Sequence, residues 1–184
     1  GLAQPEKPEV YCQAIAKISQ TLNFPVLAEG LSPLRNYSPL NPYLISTYDL
    51  ILRNQKLAQK LIPKIVLQIG ELPTSKQLRS WLEAANSQRL IIDQSDQNFD
   101  PLHSNTTHLR ISVEQLAKIS ITQYSDNNYD INYLNLWCQA EAKVRENIDK
   151  KMATVNHILE PKISWLISQT LPKNTSIFVA NSMP

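Results

Sequence analysis

Glycine is what this sequence most lacks: three in 184 residues, at positions 1, 30 and 70, where average usage is roughly 7 %. A P-loop needs two glycines and a dinucleotide fingerprint three, each set within about eight residues. No such cluster exists, so a phosphate held by this chain alone is not held by a glycine-rich loop. Cysteine is also sparse. Cys12 and Cys138 stand far apart and form no metal-ligand pair. Reduced thiols of a cytosolic protein are the default reading. Neither sign of charge is in excess, with 18 Lys and Arg against 16 Asp and Glu and a net charge of +2. A nucleic-acid scaffold, which shows a concentrated basic surface, is therefore disfavoured. No apolar run reaches the ~18 residues of a spanning helix. The first residues carry no apolar signal-peptide stretch. They also lack an initiator methionine, which reads as a trimmed chain or a piece of something longer.

What is present is a hydrophobic fraction of 42 % and 12 prolines. That is enough for one sizeable core, in one domain or one and a fraction. Residues 9–22 read as a helix, with Val10, Ile15, Ile18 and Leu22 roughly on one face. A short apolar run from Phe24 to Glu29 reads as a buried strand ending at Gly30. Three prolines, Pro33, Pro39 and Pro42, exclude regular structure from the following loop. Residues 43–61 have a helical pattern, in one piece or two. Strands are expected at 65–69, 89–93 and, more weakly, 108–111. Helices are expected at 74–85 and 113–119. The first of these opens on Thr74 and Gln77, spaced as a capping box in which each side chain satisfies the other's free amide.

Continuous apolar strands alternating with amphipathic helices imply a parallel sheet covered on both faces. The fold class is thus α/β: a doubly wound, mostly parallel Rossmann-like sheet with helices on both faces, followed by C-terminal helices. After Ile121 the pattern changes. A polar connector (123–130) leads to a long helix over 133–151, with Leu134, Trp137, Val144 and Ile148 on one face. Pro161 starts another helix with Ile163, Leu166 and Ile167 inward, and a strand begins at Ile177.

Gly30 and Gly70 each end a strand, at the sheet edge where open α/β folds bind ligands. Plain turn chemistry explains them equally. Gly70 and Asp93 have the spacing of a dinucleotide fingerprint's first glycine and its ribose-binding acid. Leu72 and Ser75 replace the other two glycines, however, and would obstruct a pyrophosphate. Lys76 lies in the first turn of its helix, where a cation is mildly unfavourable by about 0.3–1 kcal/mol. Either it draws an anion to that helix end or it is an ordinary surface lysine. Asp100-Pro101-Leu102-His103 reads as a turn in which Asp100 caps local amides. His103, His108 and His157 make no metal spacing, and Trp81, Trp137 and Trp165 sit on apolar helix faces.

Four segments, taken in order, resemble one family. They are Phe24-Pro25-Val26-Leu27-Ala28-Glu29-Gly30-Leu31-Ser32-Pro33-Leu34-Arg35, then Leu67-Gln68-Ile69-Gly70-Glu71-Leu72-Pro73-Thr74-Ser75-Lys76, then Asp100-Pro101-Leu102-His103, and Phe178-Val179-Ala180-Asn181-Ser182-Met183-Pro184. The sequence is similar, over nearly its whole length, to the 2-succinyl-5-enolpyruvyl-6-hydroxy-3-cyclohexene-1-carboxylate synthase (MenD) family. These are thiamine-diphosphate enzymes of menaquinone and phylloquinone biosynthesis. The resemblance implies a central Rossmann-like domain over 1–124, with one strand preceding it. A connector and long helix would follow over 125–152. The first helix and strand of a C-terminal diphosphate-binding domain would occupy 153–184. It further implies that the pyrimidine-activating glutamate and the Gly-Asp-Gly…Asn metal motif belong to other parts of a parent enzyme. Thiamine diphosphate and Mg²⁺ would be bound there rather than here.

The family's reaction decarboxylates 2-oxoglutarate and adds the succinyl unit to isochorismate. By resemblance, Lys76 reaches toward the isochorismate carboxylates, and Ser182, with Asn181 beside it, contacts bound substrate or cofactor. Some relatives carry arginine where this chain has Gln77. No catalytic residue is expected in this segment, which alone should be inactive. The parent is expected to be a cytoplasmic homo-oligomer without nucleic-acid partners. A stand-alone nucleotide-binding module, or a protein-interaction domain docking through the 133–151 helix, is the alternative.

Overall fold

The structure, a computed structural model, describes residues 5–123, 131–157, 159–172 and 175–177. The described chain forms two compact units, Gly1–Ala142 and Lys143–Pro184.

The first unit opens with α1 (Pro8–Leu22), which has proline in its first turn and ends at Asn23 in the left-handed conformation. Tyr11, Cys12, Ile15, Ile18 and Ser19 make its buried face, while Val10 turns out to be exposed. Then come β1 (Val26–Leu27), two short 3-10 turns (Pro33–Arg35 and Ser38–Leu40), β2 (Leu44–Ile45), α2 (Tyr48–Leu52) and α3 (Gln55–Lys60). They are followed by β3 (Ile65–Ile69), α4 (Lys76–Ala85), β4 (Gln88–Ile92), β5 (Thr106–Leu109) and α5 (Val113–Gln123). A long helix, α6 (Ile131–Thr154), crosses from the first unit into the second, which also holds α7 (Glu160–Thr170).

Among the described residues every strand pair is parallel. The strands form two sheets, β1–β2 and β3–β4–β5, and the fold is mixed α/β with helices on both sides. Helix α1 packs along α5. Between them Ile15 and Ile18 meet Ala28, Leu34, Ile92, Val113 and Ala117 in one core. Each fully buried Ile or Leu there contributes about 1.5–3 kcal/mol.

Strand β2 lies inside the stretch whose pattern predicts helix. The cause is local. The Asn41 side chain accepts the Tyr43 N–H at 3.0 Å. That turn sets Tyr43 and Ile45 to accept hydrogen bonds from Val26 and Ala28 at 2.9 and 3.1 Å. A two-residue strand has no periodicity to read. The helix then breaks at Asn54, whose side chain caps α3 by accepting the Leu57 N–H at 3.1 Å.

Helix α6 is anchored by one stripe, Leu134, Trp137 and Glu141, all buried. The Glu141 carboxylate is a clamp. It accepts the Ser46 hydroxyl at 2.5 Å, the Thr47 N–H at 2.9 Å and the Thr47 hydroxyl at 2.6 Å. In α7 the expectation is corrected, because Ile163, Leu166 and Ile167 are exposed rather than inward. Periodicity marks an apolar face, but burial requires a neighbour, and none among the described residues covers this one. Of the terminal strand only Ile177 is described; the rest of it, and 124–130 of the connector, lie outside the described residues.

The two interior glycines also separate. Gly70 has φ +64°, whereas a Cβ on Gly30 would meet nothing within 4 Å and its φ is not positive. Gly70→Ala should therefore lose about 1–2 kcal/mol of stability through backbone strain. Gly30→Ala should be neutral or stabilising by up to about 1 kcal/mol through the unfolded chain. Urea unfolding of both variants checks this, and equal losses would refute the distinction.

Candidate functional site

The carboxyl ends of β1 and β3 come together around the start of α4. Glu29, just past β1, accepts the Thr74 N–H at 2.9 Å and also the Thr74 hydroxyl. Its other oxygen, Oε2, is buried and has no hydrogen-bond partner among the described residues. With Thr74 engaged this way, the capping box expected at Thr74 and Gln77 does not form. Ser75 is the N-cap instead, accepting the Leu78 N–H at 3.1 Å and donating its hydroxyl to Asp49 Oδ1 at 2.5 Å. Gln77 sends its amide to the Leu52 carbonyl at 3.2 Å, tying α4 to α2.

Arg79 braces the same turn from behind. Its guanidinium donates to the carbonyls of Pro73 at 2.8 Å and Leu72 at 3.4 Å. Tyr48 lies beneath, 4 % exposed. Burial, then the negative charges of Glu29 and Asp49, push its phenol up to about 12, with Arg35 pulling the other way. It is therefore a neutral hydroxyl at ordinary pH.

Lys76 is the first residue of α4 and is exposed. Its side chain has no hydrogen bond or ion pair among the described residues. Two acids fasten the loop on which it stands, and neither neutralises it. A cation held at a helix N-terminus can capture a carboxylate by charge-assisted hydrogen bonding. The position of Lys76 at the helix start is legible in the sequence because it is local. The roles of Glu29 and Asp49 are not, because they come from elements far away in sequence.

Gly70 and Asp93 do meet, since a Cβ on Gly70 would lie 3.8 Å from Asp93 Oδ2. Leu72, where the fingerprint needs its second glycine, is 6 % exposed and part of the packing. The Asp100 turn is as expected, its carboxylate accepting the N–H groups of Leu102 and Ser104 at 3.2 and 3.0 Å. Asn181 and Ser182 lie outside the described residues.

Both cysteines are free, and burial pushes both thiols up, with Glu141 adding to the effect at Cys138. They are protonated and poorly nucleophilic. Among the described residues no group of three His, Cys, Asp or Glu could hold a metal ion, and no glycine-rich loop cradles a diphosphate. The described residues do not fit a Mg²⁺–diphosphate group.

A family model described as "Middle domain of thiamine pyrophosphate" matches residues 7–179. The chain belongs to that family. As a thiamine-pyrophosphate middle domain it has close curated relatives, each named 2-succinyl-5-enolpyruvyl-6-hydroxy-3-cyclohexene-1-carboxylate synthase. The one from Trichodesmium erythraeum is 92 % identical over 184 residues, covering all of this chain and 32 % of the relative. Those from Trichormus variabilis and a Nostoc species are 57 % and 56 % identical, each covering all of this chain and 31 % of the relative. The chain thus spans about a third of the length of the curated relatives it matches. No helix among the described residues of this middle domain is long and apolar enough to cross a membrane.

Proposed function

We propose that this chain is the central, by itself non-catalytic domain of a thiamine-diphosphate-dependent synthase. The parent decarboxylates 2-oxoglutarate and adds the succinyl unit to isochorismate, in menaquinone or phylloquinone biosynthesis. Residues 1–124 form the central domain and 125–152 its connector and long helix. Residues 153–184 lead into the diphosphate-binding domain. Thiamine diphosphate, with its Mg²⁺, is held by the other domains of a cytoplasmic homo-oligomer. Asn181 and Ser182 contact substrate or cofactor.

One observation carries the reading. Lys76 is an unneutralised cation at a helix N-terminus, on a loop fixed by Glu29 and Asp49 at the sheet's carboxyl edge. Isochorismate carries carboxylates, and a fixed ammonium group is suited to holding one.

Lys76→Ala in the full-length enzyme should lower kcat/KM for isochorismate about tenfold or more, the loss of one charged hydrogen bond of about 1.5–3 kcal/mol. The KM for 2-oxoglutarate should stay near its original value. Steady-state kinetics with each substrate varied is the measurement, and an unchanged isochorismate profile returns Lys76 to the surface. Turnover by the purified 184-residue chain, supplied with both substrates, thiamine diphosphate and Mg²⁺, would overturn the non-catalytic reading.

A further inference from the structure

A cleft of about 160 Å³ opens where β3 and β4 end and α5 begins. Its polar lining is Tyr11, Asp93, Gln94, Ser112 and Glu114, with the backbone of Gly70 on one side and four aliphatic side chains making the rest. No lysine, arginine or histidine is among them.

Three of these groups lack a full set of partners. Tyr11 is 7 % exposed, yet its hydroxyl makes no hydrogen bond among the described residues. The hydroxyl is not sealed away from solvent; it opens onto the cleft, where it can take a partner. Asp93 uses Oδ1 for the Ser95 N–H and hydroxyl, at 2.8 and 2.6 Å. Its Oδ2 faces Gly70, where the missing Cβ leaves room. Glu114 stands in the first turn of α5, where an acid commonly serves the free amides. That duty is already filled by a capping box. Ser112 accepts the Gln115 N–H at 3.1 Å, and Gln115 accepts the Ser112 N–H at 2.8 Å. The Glu114 carboxylate therefore has no hydrogen bond or ion pair among the described residues.

These groups are close enough to feel one another. Burial first, then electrostatic repulsion from Cys12, Glu114 and Asp93, raises the Tyr11 phenol above its ordinary range. Its hydroxyl is neutral beside two carboxylates. An anion is repelled from such a place, and among the described residues no group of three His, Cys, Asp or Glu could hold a metal ion. A primary ammonium group matches it, with three N–H donors for the Tyr11 hydroxyl and the carboxylates of Asp93 and Glu114. The aliphatic wall suits the carbon chain behind the ammonium.

We propose that this cleft binds a small organic ammonium ion, held by Tyr11, Asp93 and Glu114. The proposal is independent of the role given to Lys76.

The test is an NMR titration of the 184-residue chain with ethylammonium chloride. Ethylene glycol and sodium chloride serve as separate arms for a neutral donor and for ionic strength. Saturable shifts at the amides of Gly70, Asp93 and Glu114, with ethylammonium alone, are the expected result. Glu114→Gln should weaken binding about tenfold, the loss of one charge-assisted bond, with no change in thermal midpoint because Glu114 holds nothing else. Tyr11→Phe should weaken it several-fold. The proposal fails if ethylammonium gives no saturable shift, if ethylene glycol or sodium chloride gives the same one, or if Glu114→Gln binds as tightly as the parent chain.

Discussion

Replacing Arg89 by methionine is expected to remove about 3–5 kcal/mol from the unfolding free energy, because it strands a buried carboxylate. Arg89 sits in β4 with its side chain 2 % exposed, paired with Asp100 at 7 %. Its guanidinium uses the whole fork. It donates to Asp100 Oδ1, to Gln68 Oε1 at 3.0 Å, and twice to the Ser104 hydroxyl at 3.0 and 2.6 Å. Gln68 in turn donates to the carbonyls of Gly70 and Phe99, at 3.0 and 2.7 Å. One planar group thus ties β3, β4 and the 99–106 loop together. Lysine cannot copy that fork, so Arg89→Lys should recover little.

In a protein of this size each kcal/mol moves the thermal midpoint by about 2–4 °C, so a fall on the order of 10 °C is expected. A loss under about 1 kcal/mol would show that the network is dispensable.

The same pair sets an acid limit. Burial pushes the Asp100 carboxyl up. The Thr106 hydroxyl, Arg89 and the N–H groups of Ser104 and Leu102 more than offset it, and the net result lies below the ordinary 3.8. A carboxyl whose folded pKa is depressed stabilises the fold above its unfolded pKa. That contribution is lost as pH falls through the folded value. Stability should thus decline from about pH 4 downward. Asp100→Asn should start lower and show a shallower acid decline, measured by urea unfolding across that range.

How legible this was depended on distance along the chain. The bounds of strand β3 are readable to the residue, because Ile65 to Ile69 is apolar apart from Gln68 and is closed by glycine. Helix α1 was readable from its periodicity, and Lys76 from its place in a helix's first turn. What failed was decided by remote partners. Thr74 has the spacing of a cap, but Glu29, 45 residues earlier, claims its hydroxyl. Arg89 reads from the sequence only as the first residue of a strand. Its burial depends on Asp100, which a turn 11 residues later brings back beneath it. Strand β2 was hidden because two residues show no alternation. The inward reading of α7 assumed a neighbour that spacing cannot supply.

Trp137→Ala should cost a further about 3–5 kcal/mol in its own right, through the cavity left at the root of α6. Trp137 is fully buried and meets Trp81 edge-on, with ring centroids 6.0 Å apart and planes at 81°. Such a pair adds about 0.5–1.5 kcal/mol beyond its buried area. Trp81 keeps its own anchor, donating Nε1–H to the Ala58 carbonyl at 2.9 Å. Trp137 Nε1 instead makes no well-formed hydrogen bond among the described residues, although its N–H acts on the Tyr133 hydroxyl and holds down the rise of that phenol. The tryptophan is therefore held mainly by shape and ring contact, with its donor poorly satisfied. Phenylalanine removes that donor and keeps an aromatic edge against Trp81. Trp137→Phe should consequently lose less than half of what Trp137→Ala loses. Equal losses would mean that the indole nitrogen is well satisfied after all, and that polar satisfaction rather than packing fixes the start of α6. Because Leu134 and Glu141 share this stripe with Trp137, the alanine variant should also raise hydrogen exchange at the amides of Ser46 and Thr47. The Thr47 amide donates to Glu141 directly, and the Ser46 hydroxyl does the same from the neighbouring residue.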